Sequence, residues 1–180
     1  MTEAITISDR LAAAIRAVPD FPKPGILFRD ITPVLKRPDL LGDITTAFAE
    51  RFAGDSPTVI AAAESRGFLF GVPLAIHLGL PFVPIRKPGK LPSATLSERY
   101  ALEYGEDTLE VHADAFAAGD RVLFIDDLLA TGGTTAACLR LIERSSAKVA
   151  GCGFLIELAA LDGRRHLSTD RVESLVRYDD

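Results

Sequence analysis

Residues 122–134 read Val-Leu-Phe-Ile-Asp-Asp-Leu-Leu-Ala-Thr-Gly-Gly-Thr, and no other stretch limits the fold so tightly. The four apolar residues 122–125 are β-rich and few, the pattern of a strand buried on both faces of a parallel sheet covered by helices. The strand is expected to stop at Asp126 and Asp127, because neither acid suits a strand interior. Both acids then project from its carboxyl edge, where open α/β sheets place their ligands. In the loop Ala130-Thr131-Gly132-Gly133-Thr134, adjacent glycines allow positive φ and a close backbone approach, while Thr131, Thr134 and Thr135 carry hydroxyl donors. Cys138, Leu139, Leu141 and Ile142 follow at helical spacing. The loop therefore opens a helix whose free N–H groups and dipole favour an anion, with phosphate the expected guest.

A Gly-Gly loop between strand and helix is often no more than a turn. Two acids ahead of it and hydroxyls around it are not needed for packing, which points to a ribose phosphate: acids on the sugar hydroxyls, loop on the phosphate. Other phosphate motifs fit less well. Gly89-Lys90 is followed by Leu91, not Ser or Thr, and Ile156 stands where a dinucleotide fingerprint beginning at Gly151-Cys152-Gly153 needs its third glycine, so those glycines are assigned to a strand. A side chain at Gly132 is expected to block the ligand and leave the ligand-free fold intact. Two acids followed by Ala-Thr-Gly-Gly-Thr resemble the phosphoribosyl pyrophosphate (PRPP) motif of the type I phosphoribosyltransferases. That resemblance implies that Asp126, Asp127, Ala130, Thr131, Gly132, Gly133 and Thr134 hold the ribose and 5′-phosphate of PRPP; it does not imply a base.

The chain's 180 residues suit one domain over 1–180 with ample core, at 48% hydrophobic and 25% charged residues. A net charge of -5 argues against nucleic acid or an anionic membrane as partner, so any basic cluster is local. Cys138 and Cys152 both lie on apolar stretches and are expected to be buried thiols in a reducing cytosol. Glu3 stands where a signal peptide is basic, and no apolar segment follows, so a cytoplasmic location is expected. Residues 67–85 lack Asp, Glu, Lys and Arg, but Pro73, Pro81, Pro84 and His77 break them into a helix, a turn and a short strand, leaving no membrane span.

From the start of the chain, Leu11, Ile15 and Val18 share one side of a first helix that ends before Pro19. In residues 21–33 three prolines and a glycine forbid a regular helix, yet Phe21, Ile26, Leu27, Phe28 and Ile31 are too apolar for a solvated linker. Composition alone favours a loop folded over core. The segment resembles the N-terminal hood of the adenine phosphoribosyltransferase family, one side of a purine pocket. On that resemblance Phe28 and Arg29 match positions whose side chain or backbone contacts adenine, and Leu158, after a strand over 148–157, matches an apolar residue on the opposite face of the ring. The match runs from residue 21 to about 166.

Leu41, Ile44, Phe48 and Phe52 mark an amphipathic helix behind the sheet. The strand 59–63 ends in Glu64-Ser65-Arg66-Gly67, where an exposed Glu64–Arg66 ion pair is a common arrangement but does not explain why the apolar run resumes immediately after Gly67. By resemblance the turn is the pyrophosphate loop, with Ser65, Arg66 and nearby amides on the leaving group and Arg66 among the catalytic residues; a guanidinium fork suits phosphate oxygens. After a strand at 81–85, Arg86-Lys87-Pro88-Gly89-Lys90 reads as a solvated cluster or, from its place at a strand end, as a polyphosphate clamp. The resemblance puts Arg86, Lys87 and Lys90 on pyrophosphate and leaves open whether Arg86 crosses a dimer interface.

Residues 100–104 and 108–111 alternate in polarity around Gly105-Glu106-Asp107, a hairpin and a plausible mobile lid. On its own Glu103 reads as water-facing; the resemblance makes it the catalytic acid of the flexible loop and Tyr104 the aromatic beside it. His77, His112 and His166 show no metal-ligand spacing, and none is assigned to catalysis. The expected fold is α/β, a mostly parallel twisted sheet with helices on both faces, a hood at 21–33 and a hairpin lid at 93–110. The resemblance implies transfer of the phosphoribosyl group of PRPP to N9 of adenine, giving AMP and pyrophosphate, with Mg²⁺ bound through the substrate, no dedicated metal ligand, and a homodimer. The other readings are a phosphoribosyltransferase for another purine base and a non-catalytic PRPP-binding regulator, which normally adds a basic nucleic-acid-binding surface.

Overall fold

Residues 5–101 and 105–179 are described by the computed structural model of the chain. Thr6 caps the first helix, α1 (Ile7–Ala14): its hydroxyl accepts the Asp9 N–H at 3.2 Å, and the Asp9 carboxylate accepts the Thr6 N–H at 3.0 Å. The helix stops earlier than its apolar spacing suggests. Ile15 is already extended, and Arg16–Pro19 form β1, antiparallel to β2 (Leu27–Asp30) with Val18 opposite Phe28. Pro19 biases Val18 away from helix, and the partner strand takes it up.

After the single turn α2 (Thr32–Leu35), helix α3 (Pro38–Arg51) buries Leu40, Ile44 and Phe48, with Leu41 only partly buried at the margin. Then come β3 (Val59–Ala63), α4 (Phe68–Leu78), β4 (Phe82–Ile85), β5 (Thr95–Ala101), β6 (Glu106–His112), β7 (Arg121–Leu129), α5 (Gly133–Arg144), β8 (Lys148–Leu158) and β9 (Val172–Tyr178). Five strands form a parallel sheet in the order β4-β3-β7-β8-β9. Along β7 the side chains alternate, Val122 and Phe124 joining α5 and the β5–β6 hairpin, Leu123 and Ile125 joining α1, α3 and α4. Helices thus cover both faces, and each fully buried Leu, Ile or Phe contributes about 1.5–3 kcal/mol.

Strand β7 does not end at the acids. Its pairing with β8 continues through Asp126 opposite Phe154 to Leu129 opposite Glu157, because β8 is long enough to supply partners. On the other side β3 pairs only as far as Ile125. Asp126 and Asp127 are therefore strand residues on a strand with one open edge, and that edge replaces the abrupt strand end expected from sequence.

The hairpin is present with a different register. Tyr100 pairs with Asp107 and Ala101 with Glu106, so the strands lie at Thr95–Ala101 and Glu106–His112, and residues 106 and 107 belong to a strand and not to the turn. Burial decides this register, since Tyr100, Leu109 and Val111 all enter the core beside α5. Glu103 and Tyr104 lie outside the described residues. In the hood Ile31 is buried, but Phe21, Ile26 and Leu27 stay 50%, 40% and 42% exposed, so this stretch covers less core than its composition suggests. Both cysteines are free and buried; burial raises both thiols, Cys152 to about 12. No helix among the described residues is long and apolar enough to cross a membrane.

Candidate active site

The carboxyl ends of β3 and β7 and the start of α5 enclose a cleft of about 340 Å³. Its walls include Glu64, Ser65, Arg66, Asp126, Asp127 and the loop from Ala130 to Thr135. The peptide between Glu64 and Ser65 is cis. Gly67 lets this turn close on β7: a Cβ there would stand 2.8 Å from Asp126 Oδ1 and 2.9 Å from the Ala63 carbonyl.

The two acids are held differently. Arg66 Nε donates to Asp127 Oδ2 at 2.6 Å, and the Asp127 side chain is 8% exposed. Asp126 Oδ1 accepts the Asp127 N–H at 2.9 Å, while burial, and then the neighbouring Asp127 carboxylate, push the Asp126 carboxyl well above its ordinary value.

Gly132 caps α5 in the left-handed region at φ +82°, and its carbonyl accepts the Ala136 N–H at 2.8 Å. A Cβ at Gly132 would overlap the Gly163 carbonyl oxygen. A side chain there therefore disturbs the ligand-free fold as well as the cleft, which corrects the expectation that the fold would not register it. The contact joins residues 31 positions apart in sequence, so local pattern gave no sign of it.

Glu64 pairs with Arg86, not with Arg66. Arg86 Nε donates to its carboxylate at 2.8 Å and the Lys87 N–H does so at 2.8 Å. Burial works to raise the Glu64 carboxyl, but these donors outweigh it and hold it below the usual range. Arg86 also reaches the Lys90 carbonyl at 3.3 Å. Lys87 donates to Asp107; partial burial opposes its charge, and Asp107 more than compensates, so its pKa is raised. Ser65 and Arg66 thus line the cleft, whereas Arg86, Lys87 and Lys90 do not.

Two residues not singled out from sequence connect these parts. The Thr134 hydroxyl donates to the Tyr100 hydroxyl at 3.3 Å, and Tyr100 donates to Asp107 Oδ2 at 3.3 Å, so the loop, the hairpin and Lys87 form one chain of polar contacts. An aromatic at an inward position of the alternating strand was the available signal. At the hairpin base, Arg140 and Arg144 on α5 grip Glu98 at 2.6 and 2.8 Å.

The hood reaches the same end of the sheet. The Arg29 guanidinium carbon lies 3.8 Å from the centre of the Tyr178 ring, and Tyr178 pairs with Leu158 at the last rung of β8 and β9. Phe28 packs edge-on against Phe21, their ring centres 5.1 Å apart. Phe28, Arg29 and Leu158 are not among the residues lining the cleft. Among the described residues no group of three or more His, Cys, Asp or Glu is placed to hold a metal.

A parallel sheet with paired acids and a glycine-rich loop at its carboxyl edge defines a class, and residues 31–176 match the phosphoribosyl transferase domain. An adenine phosphoribosyltransferase of Francisella tularensis subsp. holarctica is 56% identical over 172 residues, covering 94% of this chain and 98% of that protein. The crystal structure of adenine phosphoribosyltransferase from Thermoanaerobacter pseudethanolicus superposes with a TM-score of 0.92 at 50% identity, covering 96% of this chain and 100% of that one. The Saccharomyces cerevisiae enzyme, complexed with D-2,5-dideoxy-2,5-imino-altritol 1,6-bisphosphate and adenine, superposes at 0.89 with 40% identity, covering 94% and 98%. The chain belongs to the adenine phosphoribosyltransferase family.

Proposed function

We propose that the chain transfers the phosphoribosyl group of PRPP to N9 of adenine, releasing AMP and pyrophosphate. The observation that carries this reading is the single cleft shared by Asp126, Asp127, the loop from Ala130 to Thr134, and Ser65 with Arg66. PRPP offers a 5′-phosphate, two ribose hydroxyls and an anomeric pyrophosphate, one for each of these three groups. The loop takes the phosphate on amides and hydroxyls. Asp126 and Asp127 take the hydroxyls, close to the positive charge that builds on the sugar as the anomeric bond breaks. Arg66, exchanging Asp127 for phosphate oxygens, serves the leaving group with Ser65, and Arg86, Lys87 and Lys90 serve it from the neighbouring strand end. Mg²⁺ bound with PRPP would be held mainly by phosphate oxygens and water, with Asp126 and Asp127 beside it, and would supply neutralisation of the pyrophosphate charge.

Phe28 and Leu158 flank adenine, the backbone at Arg29 reads its edge, and Glu103, with Tyr104 beside it, assists proton transfer at the purine. Adenine presents an amino donor beside a ring-nitrogen acceptor, which one peptide carbonyl and one N–H can match. Hypoxanthine reverses that pattern and leaves two buried groups unpaired, at about 1–3 kcal/mol each, or rejection by about 10²–10⁴-fold. The active unit is a homodimer; on α4 Leu69, Val72 and Ile76 form an apolar stripe, 43%, 37% and 77% exposed, which supports a second copy as its cover. A cytoplasmic location accords with the two free thiols. The test is a panel of adenine, hypoxanthine and guanine assayed with PRPP and Mg²⁺. AMP and pyrophosphate should form in equal amounts from adenine, and comparable kcat/KM for hypoxanthine or guanine would overturn the base assignment.

A further inference from the structure

Behind the phosphate loop lies a short turn that the proposed chemistry does not use. Two 3-10 turns follow β8, Ala159–Leu161 and Gly163–His166, and Gly163, at the start of the second, is buried. A Cβ on Gly163 would overlap the Ala130 carbonyl oxygen and stand 3.1 Å from the Gly132 nitrogen. Together with the overlap that a Cβ on Gly132 would make with the Gly163 carbonyl, this shows two backbones meeting with no side chain between them. His166 of the same turn borders a second cleft with Thr131 and Gly133.

The turn is fixed from behind. Arg164 donates Nε to Glu157 Oε1 and a terminal nitrogen to Oε2, both at 2.7 Å, and also reaches the Val172 carbonyl at 3.1 Å and Ser174 Oγ at 3.0 Å. Glu157 is 4% exposed; the Arg164 fork holds its carboxyl below the usual range although burial acts the other way. Ser168 donates to Glu143 of α5 at 2.6 Å. A two-pronged guanidinium on a buried carboxylate fixes geometry as well as charge.

We propose that Gly163, held by the Glu157–Arg164 pair, is a positioning residue for the phosphate loop: its bare backbone sets where the Ala130 carbonyl and Gly132 amide stand, and hence how tightly the loop holds the phosphate of a phosphorylated ribose. The proposal rests on the reading of this loop as the 5′-phosphate site. A methyl at Gly163 has to displace the Ala130 carbonyl, and the loop donors move with it.

Calorimetric titration with ribose 5-phosphate tests this on the parent, on Gly163→Ala and on Arg164→Lys. Gly163→Ala is expected to weaken binding by about 10–100-fold, the loss of one or two charge-assisted hydrogen bonds, with KM for PRPP rising in step. KM for adenine at saturating PRPP should stay within about twofold, whereas general damage to the fold would move both constants and lower Tm. Arg164→Lys keeps the charge but not the fork, so a smaller shift of about 3–10-fold in the same direction is expected, and this variant decides the matter if Gly163→Ala does not fold. Binding within about twofold of the parent by the folded variant overturns the role of Gly163 alone. Failure of the parent to bind ribose 5-phosphate overturns the phosphate reading of the loop, and this proposal with it.

Discussion

Burial and the adjacent Asp127 carboxylate both disfavour the ionised form of Asp126. An acid whose folded-state pKa lies above its unfolded value binds protons more tightly when folded, so stability falls as pH rises between those two values. Asp126→Asn removes that burden. The ligand-free variant should melt higher than the parent at pH 8, by roughly 2–4 °C for each kcal/mol relieved, with the gain shrinking toward pH 4, while AMP formation falls at least about tenfold. Thermal melts at the two pH values check the sign, and a variant less stable at pH 8 than the parent would contradict it. Glu103 is argued from chemistry and family alone. General acid–base assistance is typically worth about 10²–10⁴ in rate, so Glu103→Gln should lower kcat within that range with KM little changed, and steady-state kinetics with full kcat would remove Glu103 from the reaction.

The β5–β6 hairpin carries the second argument. Its base is tied to α5 through Glu98, whose carboxyl Arg140, and then Arg144, hold low against burial, and its far end is tied to the glycine loop through Tyr100 and Thr134. The two arginines are about half exposed, so each pair is worth only about 0.2–1 kcal/mol. Glu98→Ala removes both pairs and should therefore lower Tm by no more than about 4–8 °C but speed amide exchange across Thr95–Ala101 by about 3–10-fold. Unchanged exchange would mean that the hairpin is held elsewhere. The hairpin's existence was legible in its period-two pattern, but its register was not, because inward packing of Tyr100 depends on α5, which lies beyond it in sequence. The same limit applied to β7, whose length is set by its partner β8. Asp126, Asp127 and the glycine loop stood out because strand and helix formation do not call for them, but the backbone contact that requires glycine at Gly132, the pairing of Arg66 with Asp127 and that of Glu64 with Arg86 arise only when separate segments meet.

Across the whole molecule, the sheet brings the charged carboxyl ends of β3 and β7 into one cleft, and α4 leaves an apolar stripe on the outside. Ile76, 77% exposed, is the most open member of that stripe. Light scattering at micromolar concentration should find the parent at twice the chain mass and Ile76→Glu at the mass of one chain. A parent that runs as a single chain, or a variant that stays paired, would remove α4 from the interface.

The central claim is that one cleft holds the phosphoribosyl group. A crystal structure with AMP bound measures this most directly. The phosphate should lie within hydrogen-bond reach of the amides and hydroxyls of residues 131–134, about 2.7–3.2 Å, with the ribose hydroxyls toward Asp126 and Asp127 and the adenine between Phe28 and Leu158. Phosphate bound instead against Arg86 and Lys90, with the cleft between β3 and β7 empty of ligand, would contradict the account.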